Sequence, residues 1–206
     1  LQIAFVLKRP DLNEATHQFQ TRFSITSLKE AIGEQRRPGD AVPTRLTRAV
    51  RQIQLMIDAE RFDLIRRKHG AYGSWAVWAP PSSTSKSNVG DLWVLDERAN
   101  PMLLETLNPG VVTVGLNFSR GSPYEPFQNF HDPRPEAHDF EIRFAFSGTP
   151  FWGAYMTDII KSVVEPDSKA LLKWLRRNPE VIMDHINAFR QELSDLGHPR
   201  VASRYL

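Results

Sequence analysis

Val111-Val-Thr-Val-Gly-Leu-Asn-Phe-Ser-Arg-Gly121 carries an apolar, β-branched run into a polar turn. Branching at Cβ favours extended backbone. Apolar residues at consecutive positions mark a strand buried on both faces. Gly115 and Asn117 fall at its carboxyl end, where open α/β sheets place their ligands. A second run, Ala154-Tyr-Met-Thr-Asp-Ile-Ile160, holds Thr157 and Asp158 inside an otherwise apolar strand. A carboxylate there is costly unless it is hydrogen-bonded, so it marks either a site or a buried structural network. Two polar strand ends of this kind point to one pocket.

Around these strands the pattern alternates. Tyr72–Trp78 and Asp91–Leu95 read as strands, Pro101–Leu107 as a short helix stopped by Asn108-Pro-Gly110, and Glu136–Phe146 as a helix. Ser168–Arg177 is helical, with Leu171, Leu172 and Leu175 as its buried side. Asn178-Pro179 then opens a last helix, with Asn as cap and Pro in the first turn, and Gly197 closes it. This order predicts a three-layer α/β/α domain with a mainly parallel sheet over residues 71–206. Before it, residues 1–70 read as a helical, basic extension. Residues 1–7 form a short apolar run suited to a strand, capping-box spacings place helices near 12–20 and 28–35, and Thr44 to Lys68 carries a helical apolar face.

Composition narrows the function classes. The chain has 206 residues and a formal net charge of +2, with 13 basic and 8 acidic residues in positions 1–70 against 13 and 16 in positions 71–206. A nucleic-acid surface is therefore expected on the basic N-terminal part or in a local patch on the rest; the alternative is a solvated helix face. With no cysteine, disulfides, thiolate metal sites and cysteine nucleophiles are excluded, and a reducing compartment suits the chain. No apolar run is long enough to cross a membrane, and Leu1 to Leu7 lacks the flanks of a signal peptide; a cytoplasmic protein is expected. The phosphate-binding glycine motifs and the Gly-x-Ser-x-Gly elbow are absent, which argues against nucleotide hydrolases, dehydrogenases and esterases. His131-Asp132 and His138-Asp139 lack the spacing of a metal site, so neither metal nor cofactor is expected.

Taken together, Gly115-Leu-Asn-Phe-Ser119, Phe130 thirteen residues after Asn117, and Tyr155-Met-Thr-Asp-Ile-Ile-Lys161 resemble the uracil-DNA glycosylase superfamily, above all its mismatch-specific and single-strand-selective branches. The resemblance covers about residues 90–197. It implies that Asn117 holds the attacking water and that Phe130 stacks on a flipped base. It also places Asp158 at the base-reading position, with Gly115, Leu116 and Phe118 lining the base. Ser119, Arg120, His131 and Lys161 then lie where DNA is contacted. The roles suit the chemistry: an aromatic face offsets lost base stacking, and oriented dipoles stabilise the charges that develop as a glycosidic bond breaks.

Three positions depart from the family pattern. Phe118 stands where the first motif has Pro. Asp158 stands where the family has Asn, and an ionised carboxylate accepts hydrogen bonds but donates none. The second motif, His-Pro-Ser or Asn-Pro-Ser after a further strand, is matched only by His198-Pro199-Arg200 directly after the last helix; the other reading makes 199–202 the start of that strand. The expected function is therefore a DNA glycosylase-like protein of DNA repair that binds a flipped or single-stranded base and hydrolyses its N-glycosidic bond. The alternative is a glycosylase fold without catalysis that binds nucleic acid or a protein through helix 44–68 or the loop 118–135. A third reading, a small-molecule or nucleotide pocket in an unrelated doubly wound fold, is separated from these by whether Asn117 and Asp158 lie on neighbouring strands.

Overall fold

The computed structural model describes residues 2–7, 22–24, 57–117, 125–161 and 163–198. Its centre is a five-stranded mixed sheet. The strands are β1 (Gln2–Leu7), β2 (Arg22–Ser24), β3 (Ser74–Trp75), β4 (Asn108–Asn117) and β5 (Ala154–Ile160), ordered β2-β1-β4-β5-β3. The helices are α1 (Ala59–His69), α2 (Leu103–Thr106), α3 (Asp139–Phe146), α4 (Ser168–Arg177) and α5 (Glu180–Asp195).

The α/β class stands, but the sheet is not mainly parallel. Among the described strands only β4 and β5 run parallel; β1 pairs antiparallel with both β2 and β4, and β3 pairs antiparallel with β5. The strand–helix–strand order constrains the crossover that joins β4 to β5 through α3. β1 and β3 reach β4 through long connections, and such connections permit either direction. The described parts of residues 1–70 also belong to this body. β1 is a strand of the sheet, and Phe62 and Ile65 of α1 are fully buried beside Trp75, Tyr155 and Leu193.

Side-chain alternation divides the sheet into two apolar faces. Val112, Val114 and Tyr155 face α1 and α5, where Phe62, Ile65, Phe189 and Leu193 meet them. Val111, Ala154 and Met156 face Ile142 and Phe146 of α3. Packing on both sides is why β4 and β5 read as near-continuous apolar runs. At their carboxyl ends a third cluster, Ile160 with Leu171 and Leu175, seats α4 across the sheet edge, and Leu116 packs against it.

Several local expectations change. Asp91–Leu95 is a 3-10 turn over Leu92–Leu95 that buries Val94 and Leu95 and exposes Trp93; four apolar residues in a row fit either a strand or a tight turn. The strand expected over 72–78 contracts to Ser74–Trp75, although Ala76 still exchanges backbone hydrogen bonds with Ala154 and Gly153. Helix 44–68 does not run through residues 57 and 58. α1 starts at Ala59, and Asp58 accepts from the Arg61 amide at 2.7 Å. Asn178 caps the C-terminus of α4, its side chain donating to the Trp174 carbonyl, and Pro179 precedes α5. The helices expected near 12–20 and 28–35, helix 44–68 up to residue 56, and a strand from 199 lie outside the described residues.

Candidate functional site

The parallel pair brings the two polar strand ends together. Gly115 lies opposite Asp158 and Asn117 opposite Ile160. Alternation puts Gly115, Asn117 and Asp158 on the α3 side of the sheet, with Val111 and Met156. A Cβ on Gly115 would sit 2.1 Å from Asp158 Oδ1, so only glycine lets the carboxylate lie flat against the neighbouring strand.

Asp158 is 2% exposed. Its Oδ2 accepts from Asn129 Nδ2 at 3.0 Å, and Asn129 also donates to the Tyr72 carbonyl at 2.6 Å. Burial raises the Asp158 pKa from 3.8 to about 6, against the opposing effects of the Asn129 amide and the Lys161 charge. At neutral pH the group is mostly an acceptor; below about pH 6 it carries a proton it can donate. Asp139, at the start of α3, is pushed to about 7, first by burial and then by Asp132 and Asp158, although it accepts from the Asp132 amide at 2.8 Å.

Asn117 is half-buried, and its amide donates to the carbonyls of Val163 (3.3 Å) and Glu165 (2.9 Å). It fastens the end of β4 to the segment that leads into α4. Phe130 is half-buried against the α3-side cluster, with backbone φ of +67°, and its carbonyl accepts from Trp78 Nε1 at 3.0 Å. Leu116 points to the other face, towards α4. Phe118, Ser119 and Arg120 lie outside the described residues.

Two expected DNA contacts are placed in the interior. His131 is fully buried, its ring 5.3 Å from that of Trp78, with Nε2 3.2 Å from the Trp75 carbonyl. Burial, only partly countered by backbone hydrogen bonding, lowers its pKa to about 4. A neutral core imidazole does not meet a phosphate. Lys161 is buried and pairs with Glu192 of α5 at 2.5 Å, donating also to Thr157 Oγ1 and the Asp158 carbonyl. Both its charge and its donors are spent inside. The two aspartates of the His-Asp pairs meet, but His131 is buried while His138 is exposed, and no cluster of three or more metal-ligating side chains exists among the described residues.

Sequence reasoning missed Asn129 and Glu192. Asn129 has no signal beyond its place before Phe130. Glu192 occupies a buried position of α5, four residues before Leu196 and three after Phe189, and a charge on an apolar helical face was the available clue. Comparisons of the chain with protein-family models, with curated proteins and with solved structures each found no match.

Proposed function

We propose that this protein takes up an unstacked nucleobase of DNA at the carboxyl ends of β4 and β5 and hydrolyses its N-glycosidic bond. The observation that carries this reading is the register of the parallel pair, with Gly115 against Asp158 and Asn117 two residues beyond on the same face. Asn117 and Asp158 on neighbouring strands support this reading over a doubly wound pocket that would hold them on distant strands. Asn129 anchors the loop that carries Phe130 directly to Asp158, so the stacking candidate and the base-edge candidate share one hydrogen-bonded unit. Phe127 and Phe130 both hold left-handed backbone, with φ of +69° and +67°. Such conformations cost on the order of 1–3 kcal/mol each and collect at functional sites. An ionised Asp158 accepts from an exocyclic amino group; the protonated form matches a base edge that offers a carbonyl. Loss of the glycosidic bond needs a water near Asn117 and no metal or covalent intermediate.

A second reading, base binding without hydrolysis, is favoured by one observation: the Asn117 amide is committed to two backbone carbonyls. Single-stranded oligonucleotides containing uracil, hypoxanthine or xanthine separate the two. Hydrolysis predicts alkali-labile abasic sites with the wild-type chain and none with Asn117→Ala. Retained oligonucleotide binding with no base release from any substrate would establish the second reading instead.

A further inference from the structure

α4 presents a row of exposed cations beside the strand ends. Its sequence, Ser-Lys-Ala-Leu-Leu-Lys-Trp-Leu-Arg-Arg, contains four basic residues and no acidic one. Leu171 and Leu175, one turn apart, are buried against Ile160. Lys169, Lys173 and Arg176 follow one another at helical spacing on the outer face, and Arg177 lies one turn beyond Lys173. All four are exposed, and none forms an ion pair among the described residues. Two apolar side chains flank the ridge and remain in solvent: Leu172 at 45% and Trp174 at 39% exposure.

A tryptophan exposed beside cations that make no ion pair among the described residues suits a partner that is both anionic and flat-faced. Single-stranded nucleic acid is both: phosphates meet the cations, and any base can stack on the indole. Position supports the same partner. The buried side of α4 shares a cluster with Leu116, the residue before Asn117, and Asn117 is tied to the two carbonyls that lead into α4. In α1, Lys68 and His69 of the last turn both pair with Asp195, and Glu60 and Asp63 add acidic charge to the same helix. Of the acidic residues nearby, Glu165 and Asp167 are drawn into the turn before α4, where each accepts from a backbone amide.

We infer that the outer face of α4, through Lys169, Lys173, Trp174, Arg176 and Arg177, is a docking surface that guides single-stranded nucleic acid to the ends of β4 and β5. The inference rests on the proposed function for what happens at those ends, but not for the binding itself. The test is fluorescence anisotropy of a dye-labelled 15-mer oligothymidylate with the full chain across a salt series, each variant first matched to wild type by thermal melting. Replacing Lys173 and Arg177 together by Gln is expected to weaken binding and to flatten the plot of log affinity against log salt by roughly 1.4, about 0.7 for each lost phosphate contact. Trp174→Ala is expected to weaken binding about tenfold with the slope unchanged, as for one lost stacked base, while Trp174→Phe keeps most of the affinity. Unchanged affinity and slope in these variants would overturn the inference. So would labelled polyglutamate binding that responds equally to Trp174→Ala, since that result assigns α4 to an acidic protein. A failure of base release leaves all of these outcomes readable, because anisotropy reports binding of oligothymidylate whether or not any base is released.

Discussion

Asp158 and Gly115 depend on each other. The carboxylate reaches across to the neighbouring strand only because position 115 has no Cβ, and the Asn129 amide holds its other oxygen. Holding an anion in so dry a place has a cost that depends on pH. The Asp158 pKa rises from 3.8 to about 6 on folding, mainly through burial. Below pH 4 both folded and unfolded chains carry the proton, and the group is neutral towards stability. As pH rises through about 6 the folded chain must ionise a carboxylate that prefers not to, and stability falls. A shift of this size corresponds to roughly 3 kcal/mol at most. Asp158→Asn keeps the acceptor for Asn129 without the charge. The variant should match wild type in urea denaturation near pH 4 and exceed it by up to about 3 kcal/mol at pH 8. A difference that does not change with pH would place the ionised form in a better-solvated setting than its burial indicates. Asp158 was readable in sequence as a polar break in an apolar strand. Its partner was not, because Asn129 stands in a loop with no periodicity to report where its side chain points.

At the scale of elements, periodicity located what it can locate. β5, α4 and α5 are where the apolar spacing puts them, since each buries a face that repeats in sequence, whereas β4 begins three residues earlier, at Asn108, and takes the expected turn Asn108-Pro-Gly110 into the strand. Asp91–Leu95 and Tyr72–Trp78 hold less strand than their apolar runs suggest, because a short apolar run does not distinguish a tight turn from extended backbone. Asn178 is ambiguous for a related reason: an Asn before Pro serves equally as the cap of a starting helix or of an ending one, and here it closes α4. Asn117 joins two elements. Its amide gives both donors to carbonyls of the lead into α4, so its removal loosens that segment as well as emptying the strand end. Asn117→Ala is expected to cost about 1–3 kcal/mol, the usual worth of two half-buried hydrogen bonds. Asn117→Asp should cost more above pH 5, because an ionised carboxylate donates nothing and faces two carbonyl oxygens. Urea denaturation of the two variants checks the order. An Asp variant as stable as the Ala variant at pH 7 would mean that the carbonyls of Val163 and Glu165 turn away once the amide is gone.

Across the whole molecule, the mixed sheet is held to α5 by a buried polar network that no motif announces. Glu192 is fully buried in α5; one carboxylate oxygen accepts from Tyr155 (2.6 Å) and Thr157 (2.9 Å), and the other meets Lys161. Three of these four residues come from β5 or its end, so the network fixes how the strand that carries Asp158 lies against the helix. Lys161 also donates to the Asp158 backbone carbonyl at 2.8 Å. The glutamate burdens the tyrosine in turn: burial first, then the carboxylate beside it, raises the Tyr155 hydroxyl well above its ordinary range and keeps it a donor. A buried pair of this kind adds little net stability over apolar residues of similar size, but breaking it leaves one charge stranded. Lys161→Met should therefore cost about 3–5 kcal/mol in urea denaturation. Adding Glu192→Gln, which keeps an acceptor for Tyr155 and Thr157 without the charge, should restore most of that loss. The double variant then tests whether the pair orients the strand end. If it does, the stability recovers while oligonucleotide affinity stays low, because the Asp158 backbone has lost its ammonium anchor. Recovery of both together would reduce Lys161 to a counter-ion for Glu192.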